Sequence, residues 1–371
     1  MNDHLHIVCL DAPSPPDYGG AIEMYYKIKA LAAIGKKVTL HYFNYNRLRG
    51  VDGLEPLCEA IFSYSRKPFY RSLPVADPYI ISSRVNKNLI ERLNSDDSPI
   101  LLEGLHCAGI ITGLKNKGRV VIRMHNEEAA YYHHLAKTTT SVFKKAYYSR
   151  ESKLLKNYQN KIARETTLAC LSEHDVEKFQ NTYGFQNAHF IPCFIPWQFV
   201  SIKEGTGSYC LYHGNMLVSE NEEAALWLIN EIFSVVRVPL IIAGKGISRR
   251  LSAAAKSHGY VSLVTDPSIR VINGLIQAAQ INVLPSMNST GIKLKLLNAL
   301  LNGRHCITNF NGIKGSGISG AVSIQDGAES WQKEIAALMQ QEFTSVQVSD
   351  RLNILCLYNN SLNARKLSAL W

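Results

Sequence analysis

The feature of this chain that most constrains its fold is the alternation, from end to end, of short apolar runs with helix-length amphipathic stretches. That is the pattern of a parallel sheet covered by helices. In the first half the runs are His6–Leu10, Val38–Phe43, Ile100–Glu103, Val120–Arg123 and Leu168–Leu171. In the second half they are Tyr209–Tyr212, Leu240–Ala243, Ile281–Leu284, His305–Thr308 and Val322–Ile324. Several are apolar on consecutive residues, as strands buried on both faces require. At 371 residues the chain exceeds the size at which one hydrophobic core stops growing, so two domains are expected. Between the two sets of runs, 192–208 carries Pro192, Pro196, Gly205 and Gly207 and no periodicity, which marks a linker. The expected organisation is α/β: Rossmann-like domains over 1–195 and 196–350 facing a central cleft, with a helical segment 351–371 packing back on the first.

Composition narrows the setting. No apolar run approaches the roughly 20 residues that span a bilayer. The chain enters an apolar strand at Leu5–Leu10 without the charged lead and cleavage site of a signal peptide, so a cytoplasmic setting is expected. The eight cysteines are scattered, with none at metal-ligand spacing, which argues against a disulfide framework or a zinc–thiolate site.

A net charge of +10 calls for a polyanionic partner: nucleic acid, an anionic membrane surface or a phosphorylated ligand. The surplus is local. Between Lys137 and Arg164 stand eight Lys or Arg and a single acid, Glu151, interleaved with Val142, Phe143, Tyr147, Tyr148, Leu154, Leu155 and Tyr158. No nucleic-acid-binding module accompanies them, so a nucleic-acid partner is not expected. A basic amphipathic helix of this kind suits peripheral contact at the inner face of an anionic membrane. The plainer reading is a solvated face whose apolar side packs on its own domain.

In open α/β sheets ligands bind beyond the carboxyl ends of the strands, so the residues just after each run are the ones to inspect. The first run leads through a proline-rich loop to Gly19–Gly20 and a helix. A glycine pair at a helix N-terminus lets backbone N–H groups approach a phosphate, although an isolated pair also serves as an ordinary turn. After the fourth run comes the polar cluster Arg123–Met124–His125–Asn126–Glu127–Glu128. A strand-end histidine is often structural, but this one, with polar neighbours in the same turn, is a candidate for binding sugar hydroxyls or stabilising developing charge.

The second half offers Ala243–Gly244–Lys245–Gly246, a glycine turn with a counter-charge, which fails as a dinucleotide fingerprint because residue 249 is Arg. It also offers the loop from Pro285 to Lys295, rich in small and hydroxyl residues, leading into an apolar helix stopped by Gly303. Its backbone, its helix dipole and Lys293 and Lys295 are suited to a diphosphate, the alternative for the lysines being a solvated first turn. The chain holds no P-loop, no H-E-x-x-H, no G-x-S-x-G and no D-x-D pair to hold a metal against a diphosphate. Charge neutralisation therefore falls to lysines and backbone dipoles, which implies metal-independent chemistry with no cofactor.

Taken in order, these residues resemble glycosyltransferase family 4, a retaining family of GT-B architecture, over nearly the whole chain. The markers are Pro-x-x-x-Gly-Gly around Pro16 to Gly20, His125–Asn126, Ser172, the opening His213–Gly214–Asn215, Ala243–Gly244–Lys245–Gly246, and Gly291 to Gly303. The resemblance implies a nucleotide-sugar donor, GDP- or UDP-linked, bound mainly by the second domain, and a glycan or lipid-linked acceptor bound mainly by the first. It implies that Gly19 and Gly20 approach the donor and that His125 contacts the transferred sugar, with Lys293 beside it in the catalytic set. Gly214, Asn215, Gly244, Lys245 and Lys295 would line the donor half, and Thr290, Gly291 and Ile292 would hold the diphosphate through backbone groups. Arg123, Asn126, Glu127 and Ser172 would lie on the acceptor side. Transfer would proceed on the same face of the sugar, a hexose such as mannose or glucose destined for a surface glycan, with the leaving phosphate helping to remove the acceptor's proton.

The chain departs from that pattern twice. Thr290 and Asn298 stand where the family often has two glutamates, and 214–221 lacks the basic pair that often grips the diphosphate. Two other readings therefore stay open: a nucleotide-sugar epimerase of the same shape, and a catalytically impaired sugar-nucleotide-binding homologue.

Overall fold

The structure is a computed structural model that describes residues 3–44, 48–68, 76–139, 141–318 and 320–371. The chain divides into two units, Met1–Pro196 with Tyr358–Trp371, and Trp197–Leu357.

The first unit is built on a seven-stranded parallel sheet in the order β3-β2-β1-β4-β5-β6-β7. The strands are β1 (His4–Cys9), β2 (Lys37–Asn44), β3 (Cys58–Ser65), β4 (Ile100–Glu103), β5 (Val120–Met124), β6 (Thr167–Cys170) and β7 (Ala188–Phe190). Alternation along the central strands divides their side chains between two cores. Leu5, Ile7, Cys9, Leu101, Val121 and Ala169 face one, and Val8, Leu102, Ile122, Leu168 and Cys170 face the other. Both faces are covered, so these strands read as unbroken apolar runs. The helices are α1 (Gly19–Ala33), α2 (Tyr79–Ser82), α3 (Lys87–Leu93), α4 (Glu128–Thr138), α5 (Val142–Lys161) and α6 (Glu173–Asn181).

The second unit repeats the plan with a six-stranded parallel sheet ordered β10-β9-β8-β11-β12-β13. Its strands are β8 (Cys210–Asn215), β9 (Leu240–Lys245), β10 (Val261–Thr265), β11 (Ile281–Val283), β12 (His305–Thr308) and β13 (Ser323–Ile324). Its helices are α7 (Ser219–Trp227), α8 (Ser234–Val236), α9 (Arg249–Lys256), α10 (Ile269–Ala278), α11 (Leu294–Asn302), α12 (Phe310–Ile313), α13 (Ala328–Leu338) and α14 (Ser345–Leu357), with a π-helical stretch, Leu228–Phe233, joining α7 to α8. In both sheets the strand order reverses beside the first strand of the unit, between β1 and β4 and between β8 and β11. These are the switch points at which doubly wound sheets bind ligands.

All ten expected runs are strands. The three strands with no counterpart in the reading, β3, β7 and β10, each lie at a sheet edge. Edge strands face solvent in part, so their sequences lack a continuous apolar run.

The chain passes from one unit to the next after Pro196 and returns at Tyr358. Arg351 is buried within the second unit, donating to the Arg304 carbonyl at 3.2 Å, so α14 stays there and α15 (Asn360–Ser368) alone joins the first unit. Ala364 and Leu367 of α15 are buried in the same core as Met24, Ile28 and Leu31 of α1. Asn360 pins this arrangement. Its Oδ1 accepts from the Ile195 N–H at 3.0 Å, and its Nδ2 donates to the Ile195 carbonyl at 2.8 Å. Replacing Asn360 with Ala leaves both buried backbone groups without these partners, at an expected cost of about 1–3 kcal/mol each before relaxation. Urea denaturation of Asn360→Ala should show a lower midpoint with an unchanged slope.

Candidate active site

At the first unit's switch point Asp11 follows the end of β1, Glu103 closes β4 and, next along, His125 follows β5. Beneath them lies a buried ionic network. Arg123 Nε donates to Glu23 at 2.7 Å, and Lys27 Nζ lies 3.0 Å from Glu23 and 2.8 Å from the Glu103 carboxylate. His125 Nε2 sits 2.9 Å from Glu103 Oε2. Both basic side chains also flank the buried Phe194 ring, with Lys27 Nζ 5.8 Å and the Arg123 guanidinium 5.9 Å from its centre. Burial alone would raise both carboxyls. Arg123 and Lys27 instead hold Glu23 down at about 2, and Lys27 and His125 hold Glu103 below its ordinary value. With Nε2 committed to Glu103, Nδ1 is the polar atom His125 has left for a ligand. The ring is half-buried, with a tenth of its side chain exposed.

Three residues expected on the acceptor side are structural. Arg123 is fully buried, and its Nη atoms donate to the carbonyls of Ile191 at 2.7 Å and Pro192 at 3.0 Å. All its donors serve the protein interior, so it cannot meet an acceptor. Glu127 caps α4, accepting from the Ala130 N–H at 3.0 Å, Lys178 at 2.6 Å and the Tyr183 hydroxyl at 3.0 Å. Ser172, 3% exposed, caps α6 by accepting from the Asp175 N–H at 3.0 Å. Asn126 alone of the four remains half-buried at the turn. It hydrogen-bonds Glu128, which burial, and then its neighbour Glu127, push up to about 8. Glu128 is therefore an uncharged buried acid at neutral pH that fixes Asn126.

Gly19 and Gly20 open α1, which begins without a side-chain cap and without an acid in its first turn. Most helices of this unit, α3, α4, α5 and α6, are capped by side chains. The α1 N-terminus thus has neither a side-chain cap nor an acid in its first turn, as suits an anion site.

At the second unit's switch point the ends of β8 and β11 bring together residues that sequence separates widely. Asn288 is the hub of the loop after β11. Its Oδ1 accepts from Lys293 Nζ at 2.6 Å and from the Thr290 N–H at 3.2 Å, and its Nδ2 donates to Glu220. Lys293 Nζ also donates to the Thr290 carbonyl at 2.6 Å. Lys295 Nζ reaches Asn221 Oδ1 at 3.2 Å and lies 4.8 Å from the Tyr212 ring centre. Asn221 in turn donates to the Asn215 carbonyl at 3.0 Å. Burial draws both lysines down to about 8, with Lys293 adding to the effect on Lys295 and Glu220 opposing it at each. His213, at the same edge, is held near 3 by burial and by Lys295, and its buried Nε2 lacks a hydrogen-bond partner. Helix α11 begins at Leu294 without a side-chain cap.

The glycines at this edge are there for space. A Cβ on Gly244 would stand 1.9 Å from the Gly214 carbonyl oxygen, since these residues pair across β8 and β9. Gly246 has φ +68°, and a Cβ there would meet Leu217 at 2.5 Å. Lys245 is exposed at the end of β9, while Gly291 turns at φ 65° and Ile292 is half-buried. Asn298, which stands where the resembled pattern often has its second glutamate, is 8% exposed and bound to Asn302 at 2.8 Å within α11. Glu23, Lys27 and Glu103 in one unit, and Asn221, Asn288 and Glu220 in the other, escaped the sequence reading. Only Glu103 carried a signal, as a charge ending an apolar strand.

Residues 207–341, most of the second unit, match the family described as glycosyl transferases group 1. A curated relative, an uncharacterized 44.6 kDa protein in the cps region of Klebsiella pneumoniae, is 26% identical over 333 residues, 84% of each chain. Among solved structures, a sucrose-phosphate synthase from Thermosynechococcus elongatus aligns with a TM-score of 0.70 and 14% identity over 99% of this chain and 98% of that one. A variant of TarM from S. aureus, in complex with fondaparinux, α-GlcNAc-glycerol and UDP, aligns with a TM-score of 0.68 and 10% identity over 100% of this chain and 99% of that one. A glycosyltransferase from Rickettsia africae gives 0.66 and 11% over 100% and 98%. The fold is the two-domain α/β fold of GT-B glycosyltransferases, and the family match with these neighbours supports a transferase acting on sugars.

The assignment of Arg123 to the interior has a direct test. Arg123→Met should destabilise the protein by about 3–5 kcal/mol, because it takes from buried Glu23 one of its two cations and leaves the Ile191 and Pro192 carbonyls without their donor. Chemical denaturation reads this. An acceptor-contacting arginine would instead leave stability intact and raise the acceptor KM.

Proposed function

We propose that the protein is a retaining glycosyltransferase of the family 4 kind, moving a hexose from a nucleotide-diphosphate sugar to a glycan or lipid-linked acceptor without a metal ion. The observation that carries this reading is the pair of half-buried lysines, Lys293 and Lys295, at the second unit's switch point beside the uncapped start of α11. Their combination of cationic groups, backbone dipoles and low water access suits a leaving diphosphate, which needs charge stabilisation where it forms. Gly291 and Ile292 supply backbone N–H groups to it; the Thr290 N–H donates to Asn288 and shapes the turn, and Gly214 and Gly244 let β8 and β9 pair closely beneath it.

In the transfer the bond between the anomeric carbon and the diphosphate oxygen breaks, and the acceptor oxygen bonds to that carbon on the same face. The acceptor's proton passes to the leaving phosphate. His125, oriented by Glu103, contacts the transferred sugar, and Asn126 lies beside it on the acceptor side. The relative from a cps region of Klebsiella pneumoniae supports a role in surface-glycan synthesis.

A thermal-shift panel of UDP-, GDP- and ADP-sugars should single out one donor base, with no requirement for divalent metal. Stabilisation by none of them would sink the reading, and conversion of the donor to an epimer without acceptor would move it to the epimerase class. Lys293→Ala should weaken donor binding and slow transfer by at least about tenfold, as loss of a charged diphosphate contact does. Both lysines are cationic below pH 8 and lose that charge as pH rises through it. Affinity for the better-bound of UDP and GDP should therefore fall by about tenfold or more from pH 7 to pH 9.5 by calorimetry. A flat profile would remove the lysines from the diphosphate site.

Peripheral membrane contact rests on α5. The one acid of the basic segment, Glu151, is buried; it accepts from the Tyr79 N–H at 2.8 Å and pairs with Arg150 at 3.4 Å, leaving the lysines without a carboxylate of their own segment. Lys137, Lys144, Lys145, Arg150, Lys153, Lys156 and Lys161 are all exposed, and at the start of α5 Val142 and Phe143 are 78% and 90% exposed. Exposed apolar residues among lysines are suited to an anionic bilayer surface. Among the described residues no helix is long and apolar enough to cross a membrane. The protein should co-sediment with vesicles containing anionic lipid and not with neutral ones, and Phe143→Ser with Lys144→Glu should abolish this; equal partition into both kinds would refute it.

A further inference from the structure

At the edge of the first sheet opposite its ligand edge, β1 carries His4 and His6 two residues apart, hence on one face of the strand. Asp96, in the turn between α3 and β4, meets them. One ring nitrogen from each histidine and one Asp96 oxygen all lie within 4.8 Å of one another. We propose that His4, His6 and Asp96 form a binding site for a divalent first-row cation, zinc above all, remote from the sugar-transfer residues and serving to tie β1 to the α3–β4 turn.

Three observations carry the assignment. The donor set, two imidazoles and a carboxylate, is one that zinc accepts, with the fourth position open to water. Next, the Asp96 carboxylate is divided in its duties. Its Oδ1 takes the Ser98 N–H at 2.8 Å, faces Arg119 at 3.5 Å and lies 3.2 Å from His6 Nε2, while Oδ2 lies 3.0 Å from the same nitrogen. Oδ1 is thus anchored and Oδ2 is placed to ligate.

The third observation is the support behind His6, which is 4% exposed. Its Nδ1 is 3.0 Å from His41 Nε2, and His41 Nδ1 is 3.0 Å from the Tyr64 hydroxyl. Such a chain polarises in either direction. With Nε2–H donating to Asp96, the protons point outward from Tyr64 through His41 to His6. With Nε2 on a cation, His6 Nδ1–H donates to His41, and His41 donates to Tyr64. A ligating histidine needs a partner of this kind on its second nitrogen to fix ring and tautomer.

The ligand atoms of a tetrahedral zinc stand about 3.4 Å apart, so the three side chains must close on the ion. His6 is fixed, whereas the His4 and Asp96 side chains are 26% and 40% exposed, and closing on the ion exchanges a hydrogen bond of His4, to Ser98 Oγ at 3.1 Å or Thr39 Oγ1 at 3.0 Å, for a metal bond.

The test uses cobalt(II), whose visible absorption reports a protein site, on the full chain. The native protein should take up one equivalent with tetrahedral bands, and equimolar zinc should displace it. His4→Ala and Asp96→Asn, both at positions partly open to solvent, should fold by circular dichroism and bind at least about tenfold more weakly. His189→Ala, at an exposed position on β7, should bind as the native chain does. No uptake by the native protein, native-like uptake by both ligand variants, or loss in His189→Ala equal to theirs would each overturn the proposal.

Discussion

The first unit depends on one buried ionic assembly, Glu23–Lys27–Glu103–Arg123–His125. Charges withdrawn from water are costly unless they are paired and fully hydrogen-bonded, and removing any one member leaves another exposed to that cost. Here the pairing is nearly complete and spans four separate parts of the chain. Glu23 and Lys27 lie one turn apart on α1, Glu103 ends β4, Arg123 belongs to β5, and the Phe194 N–H closes onto Glu23 at 2.6 Å. The assembly therefore sets where α1 rests on the sheet, how the segment leaving the unit is tied down, and how the His125 ring is held. A residue suited to chemistry at the surface is positioned by ion pairs that no substrate touches.

The central strands were legible because burial on both faces writes itself into sequence as unbroken apolar runs. Strands β3, β7 and β10 were not, because an edge strand such as Cys58–Ser65 buries only Tyr64 and carries polar residues at its exposed positions, so it looks like loop. In the candidate site, residue type tells of a backbone requirement at Gly244, where the strands pair too closely for a Cβ, and at Gly291, with its positive φ. The site was illegible where function rests on pairing across the chain. Arg123 looked like a site residue because it neighbours His125. Alternation along β5 instead turns its guanidinium inward, where Glu23, a hundred positions earlier, receives it. Glu127 and Ser172 were misplaced for a related reason: carboxylates and hydroxyls at strand-to-helix turns serve as helix caps as readily as ligands. Asn288 and Asn221 gave no local signal at all.

The second unit redistributes charge relative to the pattern it resembles. The stretch after β8 contributes no cation, but it contributes Asn221 and Glu220, which reach across to the loop after β11 and hold Lys295 and Asn288. Positive charge thus enters the switch point from β11's side, with the partners that orient it supplied by β8's. The two lysines are kept poised by burial rather than by ion pairing alone, which leaves their charge sensitive to what binds beside them.

The return of α15 to the first unit has a bearing on how the chain is made. Its residues complete a core whose other members, on α1 and the first sheet, leave the ribosome long before the second unit is translated. At roughly 5–20 residues per second, the intervening stretch takes on the order of ten to thirty seconds to synthesise. Throughout that interval the apolar groove of α1 that Ala364 and Leu367 will fill stays open. The core of the first unit is thus brought to completion only after the second unit has been made.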